Sequence, residues 1–409
     1  MIKTKISIFL FVVVSIAVYT TNIRQVSLTP IEELGKNLFF DMELSSPSGQ
    51  SCAVCHGQET GFTGPDSKLN AEGSVYEGAV AGRFGNRKPP TAAYAGDSPV
   101  LHLDEEDTFV GGMFWDGRAS GDLLGDPLAE QAMGPFLNPL EQNLPDKKSV
   151  VIKVKDSDYA ELFEKVWGAG SLDMKNIDAA FEQIARSIAA YERSAEVNPF
   201  SSKFDDFWHK TRSKKLDVTG IDENNWKEFK NLGLDEKELQ GLMLFNTKGK
   251  CAECHILTSD NSKPPLLTDF TYDNLGVPKN PKNPFYTMPE EFNPDGKDWV
   301  DKGLGGYLET TEKWKQYAKD NYGKHKVPTL RNVDKRPYEN FVKAFMHNGF
   351  FTDLKELVRF YNTRDIKDAG WGPPEIAENV NTEELGDLGL SSEEEDLIVL
   401  FMKTLSDRD

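Results

Sequence analysis

Two short runs, Cys52-Ala53-Val54-Cys55-His56 and Cys251-Ala252-Glu253-Cys254-His255, constrain this chain more than any other feature. Cysteines three apart on a helical turn present both thiols to one side, where they add to the two vinyl groups of a haem. The histidine directly after them then reaches the iron as an axial ligand. A redox pair of the thioredoxin kind does not call for a following histidine, and four thiolates on one zinc would leave both histidines unexplained. All four cysteines lie in these motifs, so none remains for a structural disulfide. The fold expected is mainly α, with two cytochrome c-like haem domains and long irregular loops.

The flanking sequence repeats with the motifs. Glu33-Leu34-Gly35-Lys36-Asn37-Leu38-Phe39-Phe40 precedes the first and Glu238-Leu239-Gln240-Gly241-Leu242-Met243-Leu244-Phe245 the second, each with helical apolar spacing. Thr29, Pro30 and Glu32 open the first helix as N-cap, N1 and N3, and Asp235 with Glu238 opens the second. Residues 177–193 read as an amphipathic helix, and a last helix capped by Ser391 or Ser392 runs to about Leu405. Residues 196–234 are polar and weakly patterned, which places the domain boundary there. The expected division is a first haem domain over 30–220 and a second over 221–409, the last helix packing back on the first domain. Residues 259–301, rich in Pro, Asn and Gly, read as a long loop, and no convincing strands are expected.

Lys3 and Lys5 before an apolar run, residues 6–18, mark residues 1–22 as a signal peptide or an N-terminal anchor, and hence a periplasmic protein. A formal net charge of −19 argues against nucleic acid and anionic lipid, and favours a basic soluble partner.

Between and after the motifs stand Phe114-Trp115-Asp116-Gly117-Arg118-Ala119, Gln131-Ala132-Met133-Gly134-Pro135, Asn138-Pro139-Leu140-Glu141, Val327-Pro328-Thr329-Leu330-Arg331-Asn332 and Met346-His347-Asn348-Gly349. As an ordered set these resemble the bacterial dihaem cytochrome c peroxidases and their MauG-type relatives, from about Leu34 to Leu405. The resemblance implies that His56 is the proximal ligand of a peroxidatic haem and His255 that of an electron-transfer haem. It makes Trp115 the electronic link between them, and Gln131 and Glu141 the pair on the peroxide side. A carboxylate there moves a proton between the two peroxide oxygens, and a Gln orients peroxide by hydrogen bonding. Residues 121–126 lengthen the usual pattern, while the ten-residue step from Gln131 to Glu141 is kept.

Two departures bear on the subtype. No His, Met or Cys occurs between Gly57 and Leu101, where many such enzymes carry a distal histidine, so the first haem is expected to be open to peroxide without reductive activation. Fourteen residues after His347, where the usual peroxidase has Met, stands Tyr361, as in MauG-type proteins; Met346 is the weaker alternative ligand. A calcium ion between the domains also belongs to the resemblance. Asn86-Arg87-Lys88-Pro89-Pro90-Thr91 puts Lys88 at its Asn position, which argues against Ca2+, and Asn86 would serve only with a shifted loop. His102, His209 and His325 are expected to face solvent. The function expected is reduction of hydrogen peroxide with electrons from a small cytochrome c or cupredoxin. A MauG-like oxidase acting on Trp or Tyr of a partner protein is the alternative, and a non-catalytic dihaem electron carrier is the reading from another class.

Overall fold

The computed structural model describes residues 27–259 and 262–408, so the expected signal or anchor at residues 1–22 lies outside the described residues. Twelve α-helices occur in this span, besides short 3-10 turns: α1 (Pro30–Phe40), α2 (Cys52–Cys55), α3 (Ser67–Ala71), α4 (Pro127–Leu137), α5 (Lys147–Lys155), α6 (Ala160–Trp167), α7 (Ile177–Glu192), α8 (Lys203–Ser213), α9 (Glu236–Asn246), α10 (Gly303–Glu309), α11 (Leu354–Thr363) and α12 (Ser392–Lys403). Strand is confined to two antiparallel pairs of two-residue strands, β1 (His102–Leu103) with β2 (Phe109–Val110) and β3 (Tyr272–Asp273) with β4 (His325–Lys326). The protein is mainly helical, and no helix among the described residues is long and apolar enough to cross a membrane.

The helix starts follow from their caps. The Thr29 N–H donates to Glu32 Oε2 at 2.6 Å, and the Asp235 N–H donates to Glu238 Oε2 at 2.7 Å while Asp235 accepts from the Lys237 and Glu238 amides. Ser391 caps α12 in the same reciprocal way with Glu394. Each such box satisfies amides that the first turn leaves without an intrahelical partner.

Two helix pairs form the frame, and they are built alike. In α1 the Cα of Gly35 lies so close to α7 that a Cβ would stand 1.9 Å from the Ser187 carbonyl oxygen; in α9 a Cβ on Gly241 would stand 2.0 Å from the Leu397 carbonyl of α12. Glycine at these crossings is therefore a packing requirement. One core gathers Leu34, Leu38, Phe39, Phe136, Phe163, Phe181, Ile184 and Tyr191, from α1, α4, α6 and α7. The other gathers Phe204, Phe207, Leu239, Leu242, Phe245, Phe360, Ile398 and Phe401, from α8, α9, α11 and α12. A smaller cluster joins Leu101 and Phe109 to Tyr272, Leu304 and Leu308, tying the two halves together.

Three expectations differ from what is observed. The stretch 196–234 carries Phe204, Phe207, Trp208, Val218, Ile221, Trp226, Phe229, Leu232 and Leu234 into the second core, because its apolar residues are mostly large aromatics scattered among charges. That core therefore begins at Phe204, ahead of residue 220. The last helix packs on α9 and α11 of its own half. Only the tail after it reaches the first half, where Asp407 accepts from the Tyr94 hydroxyl at 2.8 Å and from the Ser201 amide at 3.0 Å.

Candidate functional site: two cavities and their shared wall

Each CxxCH histidine is oriented by the same local device. His56 Nδ1 lies 3.1 Å from the Phe62 carbonyl, and His255 Nδ1 lies 3.0 Å from the Leu267 carbonyl. Phe62 and Leu267 both sit in the left-handed region, with φ of 57° and 56°, which turns these carbonyls towards the rings. A Pro-Thr pair braces each turn: Thr91 Oγ1 donates to the Gly61 carbonyl at 2.8 Å, and Thr329 Oγ1 to the Leu266 carbonyl at 2.5 Å. A ring with Nδ1–H donating to a carbonyl keeps its Nε2 lone pair for a metal. Burial pushes His56 down to about 4, and lowers His255 too, so both rings are neutral, as ligation requires.

The cavities supply the donors that a covalently held macrocycle needs: one is lined by Cys52, Cys55 and His56, the other by Cys251, Cys254 and His255.

The first cavity brings together the residues expected there: Gln131 of α4, Glu141 just beyond it, and Trp115. The extra residues 121–126 leave this arrangement intact because they fold outward around Glu130, whose carboxylate accepts from the Gly121, Leu123 and Leu124 amides. Glu141 Oε1 accepts from Asn138 Nδ2 at 2.7 Å. Burial raises its carboxyl above the ordinary range, against the lowering pull of Arg118 and of Asn138. Arg118 lies over the Phe114 ring at 3.7 Å and pairs with Asp116 at 2.9 Å.

Three further residues lie in this cavity that sequence reasoning missed. Glu192, at the end of α7, is buried with Oε2 unpartnered, and burial pushes its carboxyl up to about 8. Gln142 is buried with both amide atoms unpartnered. Met113 contributes a thioether to the lining. The Tyr76 hydroxyl is already engaged, accepting from the Asp66 amide at 2.8 Å. Helix-end acidity hid Glu192, and nothing in the sequence distinguishes its position from a solvated one.

In the second cavity Tyr361 of α11 stands with Leu357 against His255 and Cys251. Burial is the main cause that raises its phenol, with the Cys254 and Cys251 sulfurs adding to it. Met346 lines the same cavity, so both sequence candidates are present.

Trp115 and Lys88 line both cavities and form their shared wall. The Trp115 loop has a counterpart. Met113 bridges Ala119 around it, as Phe345 bridges Phe351 around His347, and Phe114 and Met346 share φ values of 65° and 66°. The two loops cross over: the Lys326 amide of the second half donates to the Trp115 carbonyl at 2.9 Å, and the Lys88 amide of the first half donates to the His347 carbonyl at 2.8 Å. Trp115 Nε1 also donates to the Lys88 carbonyl at 2.8 Å, and its ring meets that of His347 edge-on at 6.4 Å.

The Lys88 side chain is buried, its ammonium donating to Thr63 Oγ1 at 3.1 Å and to the Pro89 carbonyl at 3.0 Å. A fixed cation thus occupies the position where calcium would take an Asn oxygen, and these residues do not fit calcium there. The Asn86 carbonyl is engaged by Asn283 Nδ2 at 2.8 Å.

Among the histidines, His102 and His209 are exposed as expected, and His325 is not. It lies on β4, 9% exposed, with Nδ1 on the Gly323 carbonyl and Nε2 3.3 Å from Asp301 Oδ1. Its burial follows from strand pairing with β3 and from Asp301, contacts that its charged neighbours along the chain do not announce.

Comparison with known proteins identifies the family. The sequence model described as di-haem cytochrome c peroxidase matches residues 30–213. The methylamine utilization protein MauG of Paracoccus denitrificans is 33% identical over 392 residues, covering 92% of this chain and 88% of the relative. The cytochrome c551 peroxidase of Nitrosomonas europaea is 27% identical over 328 residues, covering 80% and 71%. The crystal structure of the diheme peroxidase BthA from Burkholderia thailandensis superposes with a TM-score of 0.71 at 28% identity, covering 92% of this chain and 86% of that one. With one relative at this identity along nearly all of its length, the chain belongs to the di-haem cytochrome c peroxidase family, which includes MauG, and carries that family's two haems.

Proposed function

We propose that the chain is an exported, periplasmic dihaem c-type peroxidase that reduces hydrogen peroxide to two waters with two electrons and two protons. The electrons come from a small basic redox protein, a cytochrome c or a cupredoxin. In this reading the halves are two cytochrome c-like domains, each holding its haem through thioethers, Cys52 and Cys55 in one and Cys251 and Cys254 in the other. His56 and His255 are the proximal ligands. When bound, the haems supply the iron that takes up peroxide and the store for two oxidising equivalents.

The observation that carries the proposal is the first cavity, where a buried carboxyl with a raised proton affinity, Glu141, stands with Gln131 in the hollow that holds His56. A carboxyl poised this way carries a proton from one peroxide oxygen to the other as the O–O bond breaks. Gln131 orients the substrate with its amide, and Trp115, in the wall common to both cavities, is the electronic link. An electron carrier has no use for such a carboxyl.

A second reading, oxidation of Trp or Tyr on a partner protein, is favoured by Tyr361. This residue lines both hollows that contain Cys251 and His255, whereas Met346 lines only the larger. A phenolate ligand stabilises the higher oxidation state of iron, which suits stored oxidising power more than a thioether does.

The test is optical and electron paramagnetic resonance spectroscopy of the ferric protein, followed by peroxide. A five-coordinate high-spin haem that reacts without prior reduction is expected. Two low-spin haems inert to peroxide, as ligation by Met113 would give, refute the proposal. Steady turnover of reduced cytochrome c then separates the peroxidase from the protein-modifying oxidase.

A further inference from the structure

Beside Trp115, on the wall of the second cavity, lies a buried cluster to which the peroxidase reading assigns no role. Asp301, His325 and His347 place one donor atom each within 4.8 Å of one another. Glu375 Oε2 stands 4.0 Å from His347 Nε2, and the Glu375 side chain is 5% exposed. His325 Nε2, His347 Nε2 and Glu375 Oε2 are all buried without a hydrogen-bond partner. Orphaned polar atoms at such depth are rare, because each costs about 1–3 kcal/mol.

The spacings suit a shared ion. With metal–nitrogen distances of about 2.0–2.1 Å, two ligand atoms lie about 3.3 Å apart at a tetrahedral angle and about 4.2 Å apart in trans positions. The observed 3.3 Å from His325 to Asp301 and 4.0 Å from His347 to Glu375 fall within that range. His325 has the outer contact expected of a ligand, since its Nδ1 on the Gly323 carbonyl leaves Nε2 free. Asp301 is fixed by Arg87, whose Nε and Nη2 reach its two oxygens at 2.7 Å each, and by the Gly303 amide. Oδ1 accepts from Arg87 Nη2 and the Gly303 amide and Oδ2 from Arg87 Nε, so the acceptor position left for an ion is on Oδ2.

The two imidazole rings stack at 3.5 Å and 8°, so they would have to tilt apart for both Nε2 atoms to meet one ion.

We propose that Asp301, His325, His347 and Glu375 form a site for a divalent first-row transition ion of the zinc class. Two imidazoles with carboxylate oxygens suit such an ion, whereas calcium takes six to eight oxygens. The site does not rest on the peroxidase reading. It would pin four separate stretches of the second half together and set a dication against the edge of the Trp115 ring.

Zinc alone is the probe. The holoprotein with both haems is dialysed against chelator, reloaded with Zn2+, desalted and analysed by elemental mass spectrometry. One zinc for two haem irons is expected. X-ray absorption at the zinc edge should show imidazole scattering with light-atom ligands at about 2.0–2.1 Å. Glu375→Gln and His347→Gln, with haem content unchanged, should weaken Zn2+ binding at least about tenfold. A parent that retains no zinc at full haem occupancy, variants that bind as tightly as the parent, or displacement of zinc by equimolar Ca2+ would each overturn the proposal.

Discussion

Replacing Glu141 by Gln isolates the proton from the shape of the site. Gln has nearly the same volume and keeps an amide oxygen where Glu141 Oε1 now accepts from Asn138 Nδ2 at 2.7 Å, so the loop 138–143 should stay as it is. What is lost is the transferable proton. Positioned acid–base groups contribute about 10²–10⁴ in rate, which at about 1.36 kcal/mol per decade is roughly 2.7–5.4 kcal/mol of barrier. Loss of one hydrogen bond of ordinary strength would account for only about 1 kcal/mol. Stopped-flow mixing of the ferric protein with peroxide measures the second-order rate constant directly. A decrease of less than about tenfold would refute the role of Glu141. A normal E141Q rate with a slow Glu192→Gln would transfer the role to the other buried carboxyl of the cavity.

The same substitution has a stability signature. Burial raises the Glu141 carboxyl above its ordinary value of 4.5, so above that pH the folded protein binds more protons here than the unfolded chain. Stability therefore falls as pH rises from 4.5 through the folded value. Glu192 adds a slope of the same sign between 4.5 and about 8. Denaturant midpoints measured below and well above 4.5 should show a smaller loss for E141Q than for the parent.

Other substitutions test other parts of the structure. Tyr361→Phe should change the spectrum and potential of the second haem while leaving peroxide binding at the first intact; an unchanged spectrum would remove Tyr361 as a ligand. Trp115→Phe loses the indole bond to the Lys88 carbonyl at 2.8 Å, and should slow electron exchange between the haems in rapid-mixing experiments with little change in peroxide binding. Gly241→Ala forces a methyl to within 2.0 Å of the Leu397 carbonyl, so thermal unfolding should report a loss of at least about 1–3 kcal/mol, with Gly35→Ala behaving alike in the first half.

Much of this was legible in the chain because the signals are local. A CxxCH turn carries its own ligand, and the boxes at Thr29, Asp235 and Ser391 declare helix starts within four residues. Gln131 and Glu141 could be placed from their spacing because the added loop closes on Glu130 without moving either. What stayed hidden depends on distant contacts. His325 sits among charged and polar residues and is buried because Asp301, β3 and the stacked His347 ring cover it. Glu192 ends an amphipathic helix where an acid is ordinarily solvated, yet that end opens into the first cavity. Of the aromatics in 196–234, Phe204, Phe207 and Trp208 enter the core from one face of α8, while Trp226 and Phe229 enter it from a separate short turn.

The crossed pair of backbone bonds, Lys326 to Trp115 and Lys88 to His347, has the form of an isologous interface. Residue i of one half holds residue j of the other, and the relation repeats in reverse, as in a twofold dimer. The chain is in this sense a dimer fused into one polypeptide. A true dimer cannot give its two sites different occupations without breaking its symmetry. A fused one can, since each half mutates separately while the interface keeps the halves in register. At the axis the divergence is a tryptophan facing a histidine. In the cavities it is Gln131 and Glu141 on one side and Tyr361 on the other. Under the proposed function, that shared geometry holds one site for bond breaking and one for charge storage at a fixed separation.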